Sequence, residues 1–314
     1  MRTAAATTRA SLAALFGIYA RGFCMGAADV VPGVSGGTMA FILGIYTRFI
    51  DAIRSFDARW LGALLRGDWR QALTGPDFAF LVPLAAGIVS AVLFFTRVVP
   101  LPRLLVTHPA QVYGLFFGLV AASIVVLLRD LGGLRVRDLP ALAGGLVLGA
   151  IVVTAVPTET PETWWFVALS GALAICAMVV PGISGSFVLL LLGKYAYVLD
   201  AVGHLRVAVI APFLAGIAFG LVSFTRLLSW LLHRHERPAL LAISGVLLAS
   251  MWVIWPYQQR HFIEVRGKRR LVESQPTWPD IGDPLLAPLA LAVFGFVMVV
   301  ALHRFARRHG HATH

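Results

Sequence analysis

Charged side chains are scarce in this chain: Asp, Glu, Lys and Arg make up 13% of its 314 residues, against roughly 25% in a soluble domain. The few charges cluster between long apolar runs, and 59% of the residues are hydrophobic, with a mean hydropathy of +0.83. That distribution excludes an ordinary water-soluble globule. It fits a chain embedded in a bilayer, where about 20 apolar residues cross the hydrocarbon core. Cysteine is almost missing. Cys24 and Cys176 both lie in apolar stretches, so they read as free, buried thiols, and neither a disulfide framework nor a metal site is expected. No cofactor is expected either. Acidic residues number 15 against 26 Lys and Arg, for a net charge of +11. The basic residues fall in loops and tails, where the positive-inside bias and anionic lipid account for them. They form no stripe interleaved with aromatics, so nucleic acid is not expected as a partner. The N-terminal residues faintly resemble a signal peptide, but the apolar part runs into Arg21 with no clean small-residue cleavage site, so we read them as part of the fold.

What the chain has in abundance is apolar segments. They fall at about 12–30, 33–50, 78–106, 109–128, 139–157, 164–180, 183–199, 208–232, 238–256 and 285–303. Five precede an acidic loop at Glu159 and Glu162 and five follow it. The two sets repeat. VVPGVSGGTMAFILGIYTRFIDAI (30–53) aligns with VVPGISGSFVLLLLGKYAYVLDAV (179–202), and VPLAAGIVSAVLFFTR (82–97) with APFLAGIAFGLVSFTR (211–226). Pro83 falls on Pro212, Gly87 on Gly216, Arg97 on Arg226 and, further on, Pro109 on Pro238. The first half carries an insertion at 54–77 that shortens the offset. The expected architecture is an all-α polytopic membrane protein of two repeats, 1–158 and 159–314. Each repeat would hold a hairpin (12–50 and 164–199) and three spans.

Five segments is an odd number, so the second repeat should enter the bilayer from the opposite side. With both termini inside, the loops carrying Arg54, Arg59, Arg66 and Arg70, then Arg129, Arg135 and Arg137, then Arg234 and Arg237, all face the cytoplasm, as does the tail. The acidic loop faces out. The basic loop 257–284 is the one exception to the positive-inside bias. Inverted repeats of this kind typify secondary transporters whose site lies near the midplane.

The repeated Val-Pro-Gly-(Val/Ile)-Ser-Gly is the main chemical feature. Pro32 and Pro181 break a helix, and Gly33 and Gly182 permit unusual backbone angles. Irregular backbone at membrane depth survives only where protein or a water-filled cavity satisfies it, so each motif is expected at the tip of a re-entrant hairpin or broken helix. The residues after the break, Ser35, Gly36, Gly37 and Thr38, and Ser184, Gly185 and Ser186, would open a helix whose free N–H groups favour an anion. The competing reading makes the Gly-Pro clusters packing devices, since small residues let membrane helices approach closely. Arg97 and Arg226 sit within apolar runs at equivalent positions. An intramembrane Arg is a functional candidate suited to phosphate or carboxylate, or else it snorkels to an interface. Asp29, opposite Met178 in the other repeat, could pair with Arg21 or carry a coupling proton; coupling to H+ or Na+ is the corresponding expectation. Lys194, opposite Ile45, could simply reach an interface.

The stretch MGAADVVPGVSGGTMAFILGIYTRFI (25–50), with its second copy at 179–202, resembles the DUF368 family of prokaryotic membrane proteins, over most of the chain. That resemblance implies transport of polyprenyl phosphate: return of undecaprenyl phosphate across the cytoplasmic (inner) membrane, from outer to inner leaflet, for reuse in envelope synthesis. Undecaprenyl-diphosphate phosphatase offers a contrast. That enzyme has a Pro-Gly-x-Ser-Arg-Ser-Gly element and a Glu-rich element, whereas Gly36 and Gly185 follow the serines here and no Glu-x-x-x-Glu cluster lies in an apolar segment. The readings carried forward are a polyprenyl-phosphate translocase without catalytic residues, a secondary transporter of a small soluble anion and, third, a phosphatase. Nothing in the residue pattern sets an oligomeric state.

Overall fold

In a computed structural model the chain is described over residues 12–31, 35–99, 101–265, 268–280 and 282–310. The first half runs α1 (Leu12–Asp29), α2 (Gly36–Ile42), α3 (Tyr46–Arg54), α4 (Ala58–Leu65), α5 (Trp69–Thr74), α6 (Phe78–Arg97), α7 (Leu101–Thr107) and α8 (Pro109–Asp130). A 3-10 turn at Val136–Asp138 leads into α9 (Leu139–Thr154). After the acidic loop come α10 (Trp164–Val179), α11 (Gly185–Leu191), α12 (Tyr195–Gly203), α13 (Val207–Arg234) and α14 (Glu236–Ser250). Strands β1 (Gln258–Val265) and β2 (Lys268–Pro276) precede α15 (Leu286–Gly310). Among the described residues, α6, α8, the stretch Val136–Thr154 and α13 are long and apolar enough to cross a membrane; α11 and α12, bent by 107°, make a fifth if they count as one span. The chain is a polytopic α-helical membrane protein.

Two expectations need refining. Segment 78–106 is not one helix, since α6 ends at Arg97 and α7 restarts at Leu101, and segments 33–50 and 183–199 each hold two helices, α2 with α3 and α11 with α12. The basic loop 257–284 adds two strands to the expected all-α fold. It folds into an antiparallel hairpin, with Val265 opposite Lys268 and Gln258 opposite Pro276 and a register shift between His261 and Phe262. Ile263 and Val265 alternate with charged residues, the period-2 pattern of a strand. Its base is tied down by Trp255 Nε1, which donates to Thr277 O at 2.9 Å, and Tyr257 OH, which donates to Pro284 O at 3.1 Å.

Four helix pairs build the bundle: α1 with α6, α10 with α13, α8 with α15 and α9 with α14. Each pair meets through glycine. A methyl added at Gly22 would strike Leu84 O, and one at Gly87 would strike Tyr19 O; in the second half Gly171 faces Phe213 O and Gly216 faces Ala168 O. These are repeat-equivalent contacts. Small residues at such crossings let backbones approach and maximise van der Waals contact where lipid supplies no hydrophobic drive. The other two pairs use Gly114, Gly118 and Gly295, and Gly145, Gly149 and Gly245.

The register of these contacts fixes relative direction. Gly22 meets Leu84 and Gly26 meets Ile88; Gly114 meets Pro288 and Gly118 meets Ala292; Gly145 meets Ala242 and Gly149 meets Val246; Gly216 meets Ala168 and Gly220 meets Ala172. Numbers rise together in every pair, so all four pairs are parallel. The C-terminal ends of α9 and α14 therefore lie at one end of the bundle, which puts loop 155–163 and the β-hairpin together. The other end gathers the C-termini of α8, α13 and α15. There Arg237 donates to Asp138 Oδ1 at 3.0 Å and His303 lies 3.2 Å from Asp130. Helices α8 and α14 bury most of their interior turns, whereas α6, α9, α13 and α15 turn Val89, Leu93, Leu148, Ile151, Leu214, Phe219, Val293 and Phe294 outward. An apolar exterior of this extent suits lipid rather than water.

Candidate functional site

Helix α2 begins where Ser35 caps it, with extended backbone and a side chain that accepts from Gly37 N at 3.1 Å. Ser is a favoured N-cap because its oxygen satisfies one of the free N–H groups of the first turn. A second of those groups is taken from outside the helix: Gly36 N donates to Asp29 Oδ1 at 2.6 Å. A side chain at position 36 would run into that carboxylate, the added carbon lying 2.5 Å from Asp29 Oδ2. The carboxylate at the end of α1 thus sits on the positive end of α2. The expected partner Arg21 plays no part, because eight helical positions separate it from Asp29 by about 12 Å, and no ion pair joins them among the described residues. Pro32 and Gly33 lie outside the described residues.

The second motif is laid out differently. Pro181 and Gly182 are buried, and Gly182 takes φ +94°, a value that L side chains rarely adopt. Ser184 caps α11 with extended backbone but no side-chain bond to the helix; its hydroxyl pairs instead with Ser186 Oγ at 2.8 Å. Met178 stands where the first half has Asp29, so no carboxylate occupies this helix start. Ser35, Gly36, Gly37 and Thr38 are buried, whereas Ser184 is half-buried and Ser186 exposed.

Both short helices stop by the same device. Gly44 and Gly193, equivalent in the repeat, take φ +68° and +62°. Ile45 N then bonds Ala40 O, and Lys194 N bonds Leu189 O, the closing pattern of a glycine-stopped helix. At the end of α11 the chain returns to the loop that preceded α10: Thr158 N donates to Leu191 O and Lys194 Nζ to Thr160 O, at 2.8 and 2.6 Å. Lys194 is 2% exposed, with its ammonium over the rings of Phe166 and Tyr197.

The two motifs touch. Thr38 Oγ1 accepts from Gly182 N at 2.9 Å, Ser35 Oγ donates to Met178 O at 3.3 Å, and Gly37 lies against Met178 O and Val179 O. Tyr46, at the start of α3 and almost wholly buried, donates to Val179 O at 3.0 Å. Groups of the first motif therefore hold the irregular backbone of the second. Side chains thus satisfy backbone groups that no helix engages. Tyr46 recurs as Tyr195 in the second half, and only the fold distinguishes the buried copy from the exposed one.

Arg97 and Arg226 are both exposed. The register that puts Gly220 on Ala172 sets Arg226 level with Met178, and the one that puts Gly87 on Tyr19 sets Arg97 level with Asp29. Among the described residues no hydrogen bond or ion pair joins either to a tip. Arg226 bears on Asp57, which caps α4: bonds from Trp60 N and Arg59 N at 2.9 Å, with the charges of Arg59 and Arg226, hold that carboxyl below the usual range. A polar cluster that the residue pattern does not announce joins α3 to α13. Ser229, fully buried, donates to Asp51 Oδ1 at 2.7 Å and accepts from Arg54 Nη1 at 2.9 Å, with His233 one turn on. Its one sequence clue was Asp51 within the repeated Asp-Ala.

Comparison with known proteins bears on this arrangement. Residues 25–270 match a family described as undecaprenyl phosphate translocase-like. A polyprenyl-phosphate transporter of Vibrio cholerae is 40% identical over 245 residues, covering 77% of this chain and 78% of that one. A polyprenyl-phosphate transporter of Staphylococcus aureus is 30% identical over 256 residues, covering 75% and 84%. No solved structure matches.

Proposed function

The chain belongs to the undecaprenyl phosphate translocase-like family, and on that premise we propose that it carries polyprenyl phosphate, with undecaprenyl phosphate as the substrate, from the outer to the inner leaflet of the cytoplasmic membrane. The observation that carries this reading is the contact between the two broken motifs, Thr38 on Gly182 and Tyr46 on Val179. It brings the start of α11 to the junction of the two halves. The phosphate docks at Ser184, Gly185 and Ser186, whose helix start has no side-chain cap, and Arg226 and Arg97, at tip depth, neutralise it. Ser35, Gly36, Gly37 and Thr38 form the supporting wall, because Asp29 and the second motif already engage their donors and acceptors. The polyprenyl tail stays in lipid, so the protein needs to shelter only the charged head.

In this reading residues 1–158 and 159–314 are inverted repeats, the hairpins 12–50 and 164–199 are re-entrant, and rocking of one repeat on the other exposes the site to each leaflet in turn. The arginine-rich end, with Arg54, Arg59, Arg135, Arg137 and Arg237, faces the cytoplasm by the positive-inside bias. No catalytic group is assigned.

Binding of undecaprenyl phosphate to purified protein, by native mass spectrometry or thermal shift, tests the site. Arg97→Ala and Arg226→Ala should each abolish it, and normal binding and complementation by both variants would remove their head-group role. Uptake of a soluble anion by proteoliposomes, indifferent to polyprenyl phosphate, would transfer the site to a different substrate class. Phosphate release from undecaprenyl diphosphate, lost in Ser35→Ala, would make the protein an enzyme.

A further inference from the structure

The arginine-rich end of the bundle holds a cavity of about 420 Å³ lined by Asp51, Arg54, Ser55, Asp57 and His233. It lies between α3 with the turn after it, from the first half, and the last turn of α13, from the second. His233 Nδ1 is 2.8 Å from Ser229 O. A carbonyl oxygen only accepts, so Nδ1 is assigned the hydrogen. The other ring nitrogen, Nε2, then faces Asp51 Oδ2 at 3.5 Å. A neutral ring turns a lone pair toward that carboxylate. A protonated ring turns an N–H toward it and makes a charge-assisted contact. Asp51 Oδ1 is held meanwhile by buried Ser229, which Arg54 also engages. The carboxylate is thus aimed, and the imidazole is the one member of the cluster whose charge ordinarily changes near neutral pH.

We propose that His233 and Asp51 form a proton-binding site between the two halves, and that a proton bound there fastens α3 to α13. The other charged groups lining the cavity are Arg54, which opposes the proton, and Asp57, which favours it; Arg226, further back on α13, reaches Asp57 with its charge. Helix α3 is nine residues long, about 13 Å at 1.5 Å per residue. Its far end is Tyr46, bonded to the second motif at Val179. Proton occupancy at one end of α3 therefore bears on how firmly the other end holds the tip. Asp200, the repeat counterpart of Asp51, meets His204 and Arg206 within its own half, and the His303–Asp130 contact between the halves joins α15 to α8, so among the described residues the pair on α3 and α13 is the His–Asp contact next to the tip.

The test uses the full-length protein in nanodiscs without substrate, following the thermal unfolding midpoint from about pH 8 to about pH 5.5, the range in which imidazoles change charge. Wild type, His233→Gln, Asp51→Asn and the double variant form a cycle. Acidification should raise the wild-type midpoint relative to His233→Gln by about 1–3 °C, with coupling between the two positions present at the acid end and absent at the alkaline end. His233→Arg, a permanent cation, should keep the acid-like coupling to Asp51 throughout. A constant offset between wild type and His233→Gln, or equal coupling at both ends, overturns the proposal. If His233→Gln fails to fold, a pH-independent difference between wild type and His233→Arg does the same. The readout needs no polyprenyl phosphate, so its failure is distinct from failure of the transport reading.

Discussion

Thr38 carries more of the arrangement than its size suggests. Its hydroxyl is the acceptor for Gly182 N at a buried position, where an unmatched N–H costs roughly 1–3 kcal/mol. Thr38→Val keeps the shape and removes the acceptor, so it should lower the unfolding midpoint in detergent and weaken substrate binding together. Gly36 makes a different case. Any side chain there meets the Asp29 carboxylate, so Gly36→Ala should be destabilising in the native background and clearly less so in Asp29→Ala. Thermal unfolding of the four proteins gives the cycle, and equal penalties in both backgrounds would remove Asp29 from the neighbourhood of α2. The same carboxylate explains why the two motifs, so alike in sequence, offer different surfaces. One helix start is occupied by an internal anion and the other is not.

Helices pair here through glycine, and the cost of filling those crossings can be set against sites where there is room. Gly144 has nothing within 4 Å of an added methyl, whereas Gly87 and Gly216 would drive it into a backbone carbonyl of the facing helix. Gly144→Ala should therefore be neutral or gain up to about 1 kcal/mol from helix propensity. Gly87→Ala and Gly216→Ala should each lose about 1–3 kcal/mol or more from overpacking. Urea- or heat-induced unfolding in micelles distinguishes these outcomes. At the end of α11, Lys194→Met should free loop 155–163 from the turn between α11 and α12, since it removes the bond to Thr160 O. Faster proteolysis within 155–163 at unchanged helix content is the expected result, and an unaltered cleavage rate would show that the bonds from Thr158 N to Leu191 O and from Thr160 Oγ1 to Leu192 O are enough to hold the loop.

Across the whole molecule the four parallel pairs sort the loops into two ends. Residues 54–77 and 131–138 share an end with the C-terminus of α13, and residues 155–163 share the other with the β-hairpin. Single cysteines at Arg70 and at Gln259, in a background without Cys24 and Cys176, should thus be labelled by an impermeant maleimide from opposite sides of the membrane. With the arginine-rich end inward, position 259 reacts in intact cells and position 70 only after lysis. Labelling of both from one side would refute the parallel pairing.

The apolar segments and the repeat were legible because burial in lipid demands long apolar runs, but the breaks inside 33–50, 78–106 and 183–199 were not. That Ser35 and the residues after it open a helix follows from residue type, whereas the stop at Gly44 emerged with the structure. The pairing of α8 with α15 and α9 with α14 across the halves was not legible, since glycines at a crossing announce close approach but not the partner. Tyr46 and Ser229 were missed for the same reason: a hydroxyl on an apolar face acquires meaning only from the atom opposite it.

The sequence by itself determined that this chain is membrane-embedded, duplicated, and broken at one equivalent place in each half. Those properties reside in composition and in the local conformations of proline and glycine. Only the tertiary structure decided that the first break braces the second, that Asp29 occupies one helix start while the other is left without a carboxylate, and that His233 faces Asp51. Each depends on atoms brought together from more than a hundred residues apart or across a turn, and distance in space is not written in spacing along the chain.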